Sequence, residues 1–555
     1  MNTDKLLEIR KLTVNLPAEG DRHHAVEDLS LSLHRNEILC VVGESGSGKS
    51  ITARAILKLL PPRLKIDSGE IWFEENDLLR MPESHIRSVR GARISMIFQE
   101  PMTALNPVMT IGRQIDELIK CHSSASSRKE RLERILSVFD GVRLPDPMRI
   151  FSAYPHELSG GQRQRAMIAM ALVLEPAVII ADEPTTALDV TTQAQILKLI
   201  RERQEKRRAG MLFVTHDFGV VAEIADRVAV MQRGRLVECG PATTVLRSPE
   251  HPYTKSLIAA VPRLAPRKRA AAQKQQALLK VEKLDKTYNL GGSLFANVSK
   301  QLHAVKSATF AISRGRTLGL VGESGSGKST LARCIARLVE ADRGEILLDG
   351  VDLLPLSRRQ LVQYRKKVQV VFQDPYGSLN PRLNVGKLVA QGPIVQGVKP
   401  DIALHRAYEL LELVGLDPRA AARFPHEFSG GQRQRIGIAR ALALEPELLI
   451  ADEPVSALDV SVQAQVLRLL DDVRDRFNLA MLFITHDLRV AAQVCDDIAV
   501  MRYGEIVEYG STEQIFQSPK HAYTQELLAA IPGREWSLGD SRQSEPVSPR
   551  PQALL

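Results

Sequence analysis

The chain has 555 residues, 44% hydrophobic and 25% charged, a balance typical of globular proteins with about two to four domains. No apolar run approaches the ~20 residues that a membrane-spanning helix needs, and five cysteines without a CxxC pair argue against a zinc or iron–sulfur site and predict free, buried thiols. The formal net charge of +9 admits contact with nucleic acid or anionic lipid, although a solvated surface with a basic bias is the simpler interpretation.

The amino-terminal segment, residues 1–12, lacks the apolar core and cleavage site of a secretory signal, so we expect a cytoplasmic protein. The first buried-strand pattern, ILCVV, leads into GESGSGKS at residues 43–50. Glycines in such a turn allow backbone N–H groups to converge on phosphate oxygens at a helix start. The loop predicts a nucleotide site in which Lys49 neutralises phosphate charge and Ser50 ligates Mg²⁺. The alternative is a glycine-rich turn without a ligand.

Two further motifs follow in the first half of the chain. Gln99 ends a short apolar strand, and its neutral amide can ligate Mg²⁺ and the attacking water from a mobile loop. LSGGQ at residues 158–162 places a serine and two glycines at a helix start, a second anion-binding end. One nucleotide does not need two such ends, which suggests that they pair across two domains.

Two more apolar strands end at ionisable residues. AVIIA precedes Asp182 and Glu183, and MLFVT precedes His216. Asp182 can reach Mg²⁺ through its water shell, and Glu183 can polarise an attacking water. His216 can hydrogen-bond a γ-phosphate and hold that water in line. Each pattern by itself is more often structural, so the order and spacing of the set carry the prediction.

The whole series occurs a second time. Counterparts of the phosphate loop and of the other motifs are Gly322, Lys328, Ser329, Gln373, Ser429, Asp452, Glu453 and His486. From the signature onward the two copies are 270 residues apart without net insertion, as Ser159 with Ser429 and His216 with His486 show. Because internal repeats indicate duplicated units, we expect two similar domains in tandem.

The repeat also sets the expected boundaries. We predict domains at residues 1–262 and 278–533, a solvated linker at 263–277 and a disordered tail at 534–555. Short continuous apolar runs bounded by turns suit strands buried on both faces, as in parallel α/β sheets. Motifs at the carboxyl ends of such strands lie where ligands bind.

Together the motifs resemble those of the ABC ATPases, with Walker A, Q-loop, LSGGQ signature, Walker B, D-loop and H-loop present twice. The resemblance implies two P-loop nucleotide-binding domains of α/β class, each with a RecA-like parallel sheet and a helical subdomain. In that family two domains dimerise head to tail around ATP. Here this implies one site from Lys49 with Ser429 and another from Lys328 with Ser159.

The resemblance assigns roles residue by residue. The implied ATP contacts are Gly43, Ser45, Gly46, Ser47, Gly48, Lys49, Ser50, Ile51, Ser159, Gly160, Gly161, Gln162, Asp189, Tyr288, Gly322, Ser324, Gly325, Ser326, Gly327, Lys328, Ser329, Thr330, Ser429, Gly430, Gly431, Gln432 and Asp459. The implied catalytic residues are Gln99, Glu183, His216, Gln373, Glu453 and His486. The implied Mg²⁺ ligands are Ser50, Gln99, Asp182, Ser329, Gln373 and Asp452.

One residue departs from the family pattern. An aromatic side chain normally stacks on adenine upstream of Walker A, and the repeat places Tyr288 there in the second half but Leu16 in the first. One interpretation is that another residue such as His23 or His24 supplies the ring at this site, or that an aliphatic contact suffices there. The hypothesis is that the site of Lys49 holds nucleotide more weakly.

Segments such as FQEPMTALNP and the domain endings 248–262 and 518–532 are similar to ATPases of dipeptide, oligopeptide and nickel importers. The resemblance implies a fused motor beneath two membrane permeases, fed by an extracytoplasmic substrate-binding protein, at the cytoplasmic face of the inner membrane. Ribosome-associated tandem ABC factors resemble one another in having a long, charged helical linker between their domains, whereas the linker here, 263–277, is short. Tandem sugar-importer ATPases often have degraded motifs in one half, whereas both halves here are whole. Dipeptides, longer peptides, glutathione, a peptide antibiotic and nickel all stay open as substrates.

Overall fold

The computed structural model describes residues 4–17, 22–123, 127–185, 188–264, 276–290, 300–456 and 458–539. The chain divides into two compact units, of which the first comprises Met1–Val261 with Pro532–Leu555 and the second comprises Pro262–Ile531. The first unit is therefore discontinuous in sequence. Most of the predicted linker, residues 265–275, lies outside the described residues.

Unit 1 contains two sheets. Its strands are β1 (Lys5–Asn15), β2 (His24–His34), β3 (Ile38–Val42), β4 (Lys65–Phe73), β5 (Asn76–Asp77), β6 (Ile94–Ile97), β7 (Val178–Asp182), β8 (Gly210–Val214), β9 (Arg227–Gln232) and β10 (Arg235–Pro241). The larger sheet has the order β10-β9-β3-β8-β7-β6, parallel except for the edge strand β10. The smaller sheet, β2-β1-β4-β5, is antiparallel, an element that the sequence patterns did not predict.

The helices of unit 1 lie between and after these strands. They are α1 (Lys49–Ile56), α2 (Glu83–Val89), α3 (Pro101–Ala104), α4 (Ile111–His122), α5 (Arg128–Gly141), α6 (Pro147–Ser152), α7 (Gly160–Leu172), α8 (Val190–Arg207), α9 (Phe218–Ile224), α10 (Ala242–Arg247) and α11 (Pro252–Ala260), with a 3₁₀ turn at Pro155–Glu157. Helices α3 to α7 follow β6 and precede β7, so they form one helical insertion in the parallel sheet.

Unit 2 repeats this order. Its strands are β11 (Ala277–Leu290), β12 (Lys300–Ser313), β13 (Thr317–Val321), β14 (Arg343–Leu348), β15 (Val351–Asp352), β16 (Val368–Val371), β17 (Leu448–Asp452), β18 (Ala480–Thr485), β19 (Asp497–Arg502) and β20 (Glu505–Ser511). The sheet orders are β16-β17-β18-β13-β19-β20 and β12-β11-β14-β15. Each sheet has the same strand order as its counterpart in unit 1, although the larger sheet is written here from its other edge.

The helices of unit 2 also match. They are α12 (Lys328–Ile335), α13 (Arg358–Arg365), α14 (Pro375–Ser378), α15 (Val385–Val395), α16 (Pro400–Leu413), α17 (Gly430–Leu442), α18 (Val460–Phe477), α19 (Leu488–Val494), α20 (Thr512–Gln517) and α21 (Ala522–Ala529), with 3₁₀ turns at Pro418–Ala422 and Pro425–Glu427. No helix in the described part of the chain is long and apolar enough to cross a membrane.

The buried strand β3 shows why these runs are apolar at every position. Ile38, Cys40 and Val42 face one apolar cluster of unit 1, and Leu39 and Val41 face another. Side chains of a strand alternate between the two faces of a sheet, so a strand covered on both faces must be apolar throughout. The parallel sheet thus lies between two cores, and its carboxyl ends carry the polar motifs.

Two expectations differ from the structure. Cys40, Cys334 and Cys495 are buried, but Cys121 and Cys239 are exposed, so the prediction of buried thiols is wrong for these two. The first residues of the segment expected to be disordered form α22 (Arg534–Gly539), because Trp536 packs against the apolar core of unit 1. Residues 540–555 lie outside the described part of the chain.

Candidate active site

The loop of residues 43–50 joins β3 to α1, and its shape depends on glycine. Gly43 has a φ of 150°, and a Cβ there would lie 2.2 Å from the carbonyl oxygen of Met231. The side chain of Lys49 bends back over this loop. Its Nζ donates to the carbonyl oxygens of Gly43 at 2.7 Å and of Glu44 at 2.9 Å. The ammonium group is thereby held at the mouth of the loop.

The second loop has the same geometry. Gly322 has a φ of 153°, and a Cβ there would lie 2.2 Å from the carbonyl oxygen of Met501. Lys328 Nζ donates to the carbonyl oxygens of Gly322 and Glu323, both at 2.8 Å. Both lysines are buried although they carry a charge. A buried cation needs such polar partners, and phosphate oxygens would serve as well.

The remaining loop residues predicted to contact nucleotide lie on the same turn and on the first turn of the helix. They are Ser45, Gly46, Ser47, Gly48 and Ile51 in unit 1, and Ser324, Gly325, Ser326, Gly327 and Thr330 in unit 2. Gly48 and Gly327 are the N-cap residues of α1 and α12, so the helix N-terminus opens onto the loop. This arrangement favours an anion there.

A hydroxyl and a carboxylate meet beside each loop. Ser50 Oγ donates to Asp182 Oδ1 at 2.8 Å, and Ser329 Oγ donates to Asp452 Oδ1 at 3.1 Å. Burial raises the pKa of both carboxyl groups above the ordinary value. The other oxygen of Asp182, Oδ2, is buried without a hydrogen-bond partner among the described residues. Such oxygen donors fit Mg²⁺, a hard cation that prefers oxygen ligands.

Three predicted catalytic residues of unit 1 are joined by hydrogen bonds. The sheet order places β6, β7 and β8 side by side, so the residues that follow them, Gln99, Glu183 and His216, are neighbours. Gln99 Nε2 donates to Glu183 Oε2 at 2.9 Å, and His216 Nδ1 lies 3.1 Å from Glu183 Oε1. Glu183 itself has a φ of 47°, a left-handed conformation that glutamate rarely adopts.

Unit 2 contains the same group. Gln373 Nε2 donates to Glu453 Oε2 at 2.8 Å, and His486 Nδ1 lies 3.2 Å from Glu453 Oε1. Burial by itself would raise the pKa of Glu453, but the hydrogen bond and charge of His486 outweigh it and lower that pKa. Burial likewise opposes the charged form of His486, but Glu453 raises its pKa. Each member of the pair thus stabilises the charged form of the other.

The signature residues lie at helix starts. Ser159 is the N-cap of α7 and forms a reciprocal capping box with Gln162, and Ser429 does the same for α17 with Gln432. The predicted contacts between them are Gly160, Gly161, Gly430 and Gly431, in the first turns of these helices. The box satisfies N–H groups of the first turn without extra loop residues. The serines bond within their own helix, so the predicted pairing of each with the other unit's lysine stays a prediction.

Asp189 and Asp459, the predicted D-loop residues, are also N-cap residues. Asp189 precedes α8, and its carboxylate accepts a hydrogen bond from the backbone N–H of Thr192 at 2.8 Å. Asp459 precedes α18 in the same position. A carboxylate at a helix N-terminus is favoured by the helix dipole. The side chain of Asp189 thus caps its helix, whereas that of Asp459 makes no such capping bond, and neither observation tests the predicted contact with ATP.

The two loops differ on the side where the adenine ring of ATP would lie. In unit 2 a cavity of about 550 Å³ extends from Lys328 past Tyr288, His303 and Tyr503. In unit 1 the counterpart Leu16 packs against the apolar core, and Arg22 donates a hydrogen bond to the loop carbonyl of Gly46. His23 is exposed, and His24 Nδ1 lies 2.8 Å from Asn15 Oδ1. Aromatic rings thus line the cavity of unit 2, whereas Leu16 stands at the place of Tyr288 in unit 1.

Comparison with known proteins places the chain in a family. The ABC transporter family matches residues 26–186 and 305–456, each containing one phosphate loop. The chain belongs to the ABC transporter ATP-binding proteins. A second family, the oligopeptide/dipeptide transporter C-terminal region, matches residues 237–297 and 507–550. The protein is an ATPase of this class.

Proteins with an assigned function align with this chain over nearly its whole length. The glutathione import ATP-binding protein GsiA of Escherichia coli strain K12 is 45% identical over 100% of this chain and 92% of its own length. GsiA of Salmonella paratyphi A is 46% identical over 96% of this chain and 90% of its own length. A solved dimer of the ATP-binding cassette MJ0796 with ADP and Pi is 30% identical over 42% of this chain and 98% of that chain, with a TM-score of 0.39.

Sequence reasoning missed two residues that contact the predicted phosphate loops. Tyr253 and Tyr523 contact the phosphate loops from α11 and α21, and both belong to the segments matched by the oligopeptide/dipeptide region. A signal was present, because HPYT and HAYT stand at the same 270-residue offset as the catalytic motifs. The sequence pattern indicated a resemblance to a family, but it did not indicate that each tyrosine lies beside a phosphate loop.

Proposed function

We propose that this chain is the ATP-hydrolysing subunit of an importer for peptides, with glutathione among the candidate substrates. The proposal is supported most directly by the glutamate-centred group, which is whole in both units. The likeness to the GsiA proteins along the whole chain and the two matched oligopeptide/dipeptide regions support the substrate class. Peptide transport is thus the class to test first.

In the proposed reaction, the loop N–H groups and the buried lysine bind the phosphates of ATP. Glu183 and Glu453 take a proton from the attacking water, which the Gln99 and Gln373 amides orient. The imidazoles of His216 and His486 hold the glutamates and face the γ-phosphate. Positioning and charge stabilisation supply most of the acceleration in such phosphoryl transfers.

Mg²⁺ fits beside each loop. Ser50, Gln99 and Asp182 would hold it in unit 1, and Ser329, Gln373 and Asp452 in unit 2, where it would neutralise charge on the β- and γ-phosphates. The orphaned Oδ2 of Asp182 supports this assignment, because a buried carboxylate oxygen without a donor is costly unless a cation is near. Both sites are proposed to be competent.

The Glu183→Gln/Glu453→Gln double variant tests the hydrolytic role. The amide keeps the shape and one of the two acceptor oxygens but cannot accept a proton, so kcat should fall on the order of 10²-fold or more while ATP binding is retained. Steady-state hydrolysis and equilibrium binding of ATP measure the two effects. Unchanged turnover would remove the assigned role.

The chain offers a matched control for this change. Glu175 and Glu445 are also glutamates with positive φ, at 56° and 50°, but they lie at the surface in ion pairs with Arg207 and Arg406. The Glu175→Gln/Glu445→Gln variant makes the same chemical substitution on the same backbone conformation. It should hydrolyse ATP within about twofold of the original chain, because surface pairs contribute little.

We further propose that the chain works at the cytoplasmic face of the inner membrane, bound to two permeases that receive substrate from a binding protein. Purification of the tagged chain from detergent-solubilised membranes of its own cell, followed by mass spectrometry, tests this. Two multi-pass permeases are the expected companions. Ribosomal proteins without permeases would contradict the importer and favour a translation factor.

A further inference from the structure

Helix α11 of unit 1 and helix α21 of unit 2 each reach the phosphate loop of their unit through one tyrosine. The Tyr253 hydroxyl accepts a hydrogen bond from the Glu44 N–H at 3.2 Å and lies 3.3 Å from Glu44 Oε2. The Tyr523 hydroxyl accepts from the Glu323 N–H, also at 3.2 Å. These contacts join residues 209 and 200 positions apart. Because both units make the same long-range contact, we infer that it has the same role in each.

Each tyrosine binds the peptide group that the loop lysine binds from its other side. Gly43 C=O and Glu44 N–H belong to one planar peptide group, in which the two point in opposite directions. Lys49 Nζ donates to the Gly43 carbonyl at 2.7 Å, and Tyr253 accepts from the N–H. In unit 2, Lys328 and the tyrosine hold the corresponding peptide in the same way.

A local structure in each unit sets the position of the tyrosine. His251 is the N-cap of α11, and its Nδ1 accepts from the Tyr253 N–H at 3.2 Å. The Glu238 carboxylate, on β10, accepts from the N–H groups of Glu250 at 2.9 Å and His251 at 3.1 Å. The equivalent bonds of unit 2 involve Glu508, Lys520, His521 and Tyr523. The helix start is thus fixed to the sheet.

We propose that Tyr253 and Tyr523 are positioning residues of the two ATP sites, each holding the first peptide of its phosphate loop in the binding conformation. The inference rests on the proposed assignment of these loops as ATP sites. When the loop lysine gives up its hydrogen bond to the loop carbonyl and binds phosphate instead, the tyrosine hydroxyl still accepts the hydrogen bond from the N–H of the same peptide group. The loop then keeps its conformation without a new ordering cost, which favours binding.

The two tyrosines are not held equally. Tyr523 is fully buried, and the guanidinium carbon of Arg502 lies 4.4 Å from its ring centroid. Tyr253 is half-buried, and Gln232 occupies the place of Arg502 in the repeat. A cation over a ring face restrains the ring and is favourable. Loss of the hydroxyl should therefore leave the ring of Tyr523 in place, so that the loop N–H loses its partner there.

The Tyr253→Phe/Tyr523→Phe double variant of the full chain removes only the two hydroxyls. A fluorescent ATP analogue with Mg²⁺ measures affinity, and steady-state kinetics separate KM from kcat. One lost hydrogen bond per loop should raise Kd and KM about tenfold, whereas kcat at saturating ATP should stay within about twofold, because the catalytic group is untouched. An unchanged Kd would overturn the inference.

A matched control and a second measurement separate positioning from simple destabilisation. Tyr509→Phe removes an exposed hydroxyl 3.5 Å from the Ala311 carbonyl and should alter neither Kd nor KM. The rise in Tm caused by ATP should shrink in the double variant, since that rise reports affinity. An equal loss of Tm with and without ATP would show a merely structural role and overturn the inference. If the unaltered chain bound no ATP, the proposed function itself would fail.

Discussion

At the scale of single residues, the two units differ where a purine would lie. Tyr288 lines the cavity beside Lys328, whereas Leu16 packs on the core of unit 1. An aromatic stack contributes about 0.5–1.5 kcal/mol beyond area burial. The Lys49→Ala variant, which keeps only the second site, should therefore bind ATP about threefold to tenfold more tightly than Lys328→Ala. Equilibrium binding with a labelled nucleotide compares them.

The control uses the same background. Tyr288→Leu in the Lys49→Ala chain gives the second site the residue found in the first, and should bring its affinity close to that of Lys328→Ala. Because Arg22 also contacts the first loop, through Gly46, a residual difference of either sign measures that contribution. Tighter binding at the first site than at the second would contradict the hypothesis.

At the scale of elements, the phosphate loop requires glycine for two different reasons. At Gly322 a Cβ would lie 2.2 Å from a carbonyl oxygen of β19, so backbone must move, whereas at Gly325, with a φ of 81°, it would meet nothing within 4 Å. Gly325→Ala should cost roughly 1–2 kcal/mol of stability from its left-handed backbone. Gly322→Ala should cost more and abolish nucleotide binding at the second site, while the first site is untouched.

Thermal unfolding without nucleotide compares the two glycine variants. The comparison is matched, because both substitutions add one methyl group to the same loop and both positions have positive φ. They differ in what a Cβ would meet, which is the Met501 carbonyl at 2.2 Å and Ser326 Oγ at 3.0 Å for Gly322 and nothing within 4 Å for Gly325. Equal stability of the two variants would show that the loop and β19 separate at little cost.

The elements that carry the site could be predicted, but their contacts could not. ILCVV and TLGLV became β3 and β13 because uniform apolar runs suit strands buried on both faces. The bond from Gln99 to Glu183 joins residues 84 positions apart and depends on β6 lying next to β7, which no local pattern specifies. The left-handed backbone of Glu183 and the reach of Tyr253 likewise follow from tertiary packing.

At the scale of the whole molecule, the duplication preserved complete assemblies rather than separate motifs. Each unit keeps its own sheets, signature helix and glutamate-centred group, together with the region that carries the loop-binding tyrosine. This agrees with the absence of net insertion after the signatures, where a change of length would shift the tyrosine helix relative to the loop. Length varies instead in the parts of each copy that precede the signature.

The discontinuity of unit 1 has a consequence for biosynthesis. Trp536 packs against the core of that unit, and Gly533 N–H donates to Glu223 Oε2 at 3.3 Å, beside helix α9. Translation proceeds from the amino terminus, and domains generally fold as they emerge. Unit 1 receives these last contacts only after the ribosome has made all of unit 2. The first domain therefore acquires its complete set of contacts only once the second has been synthesised.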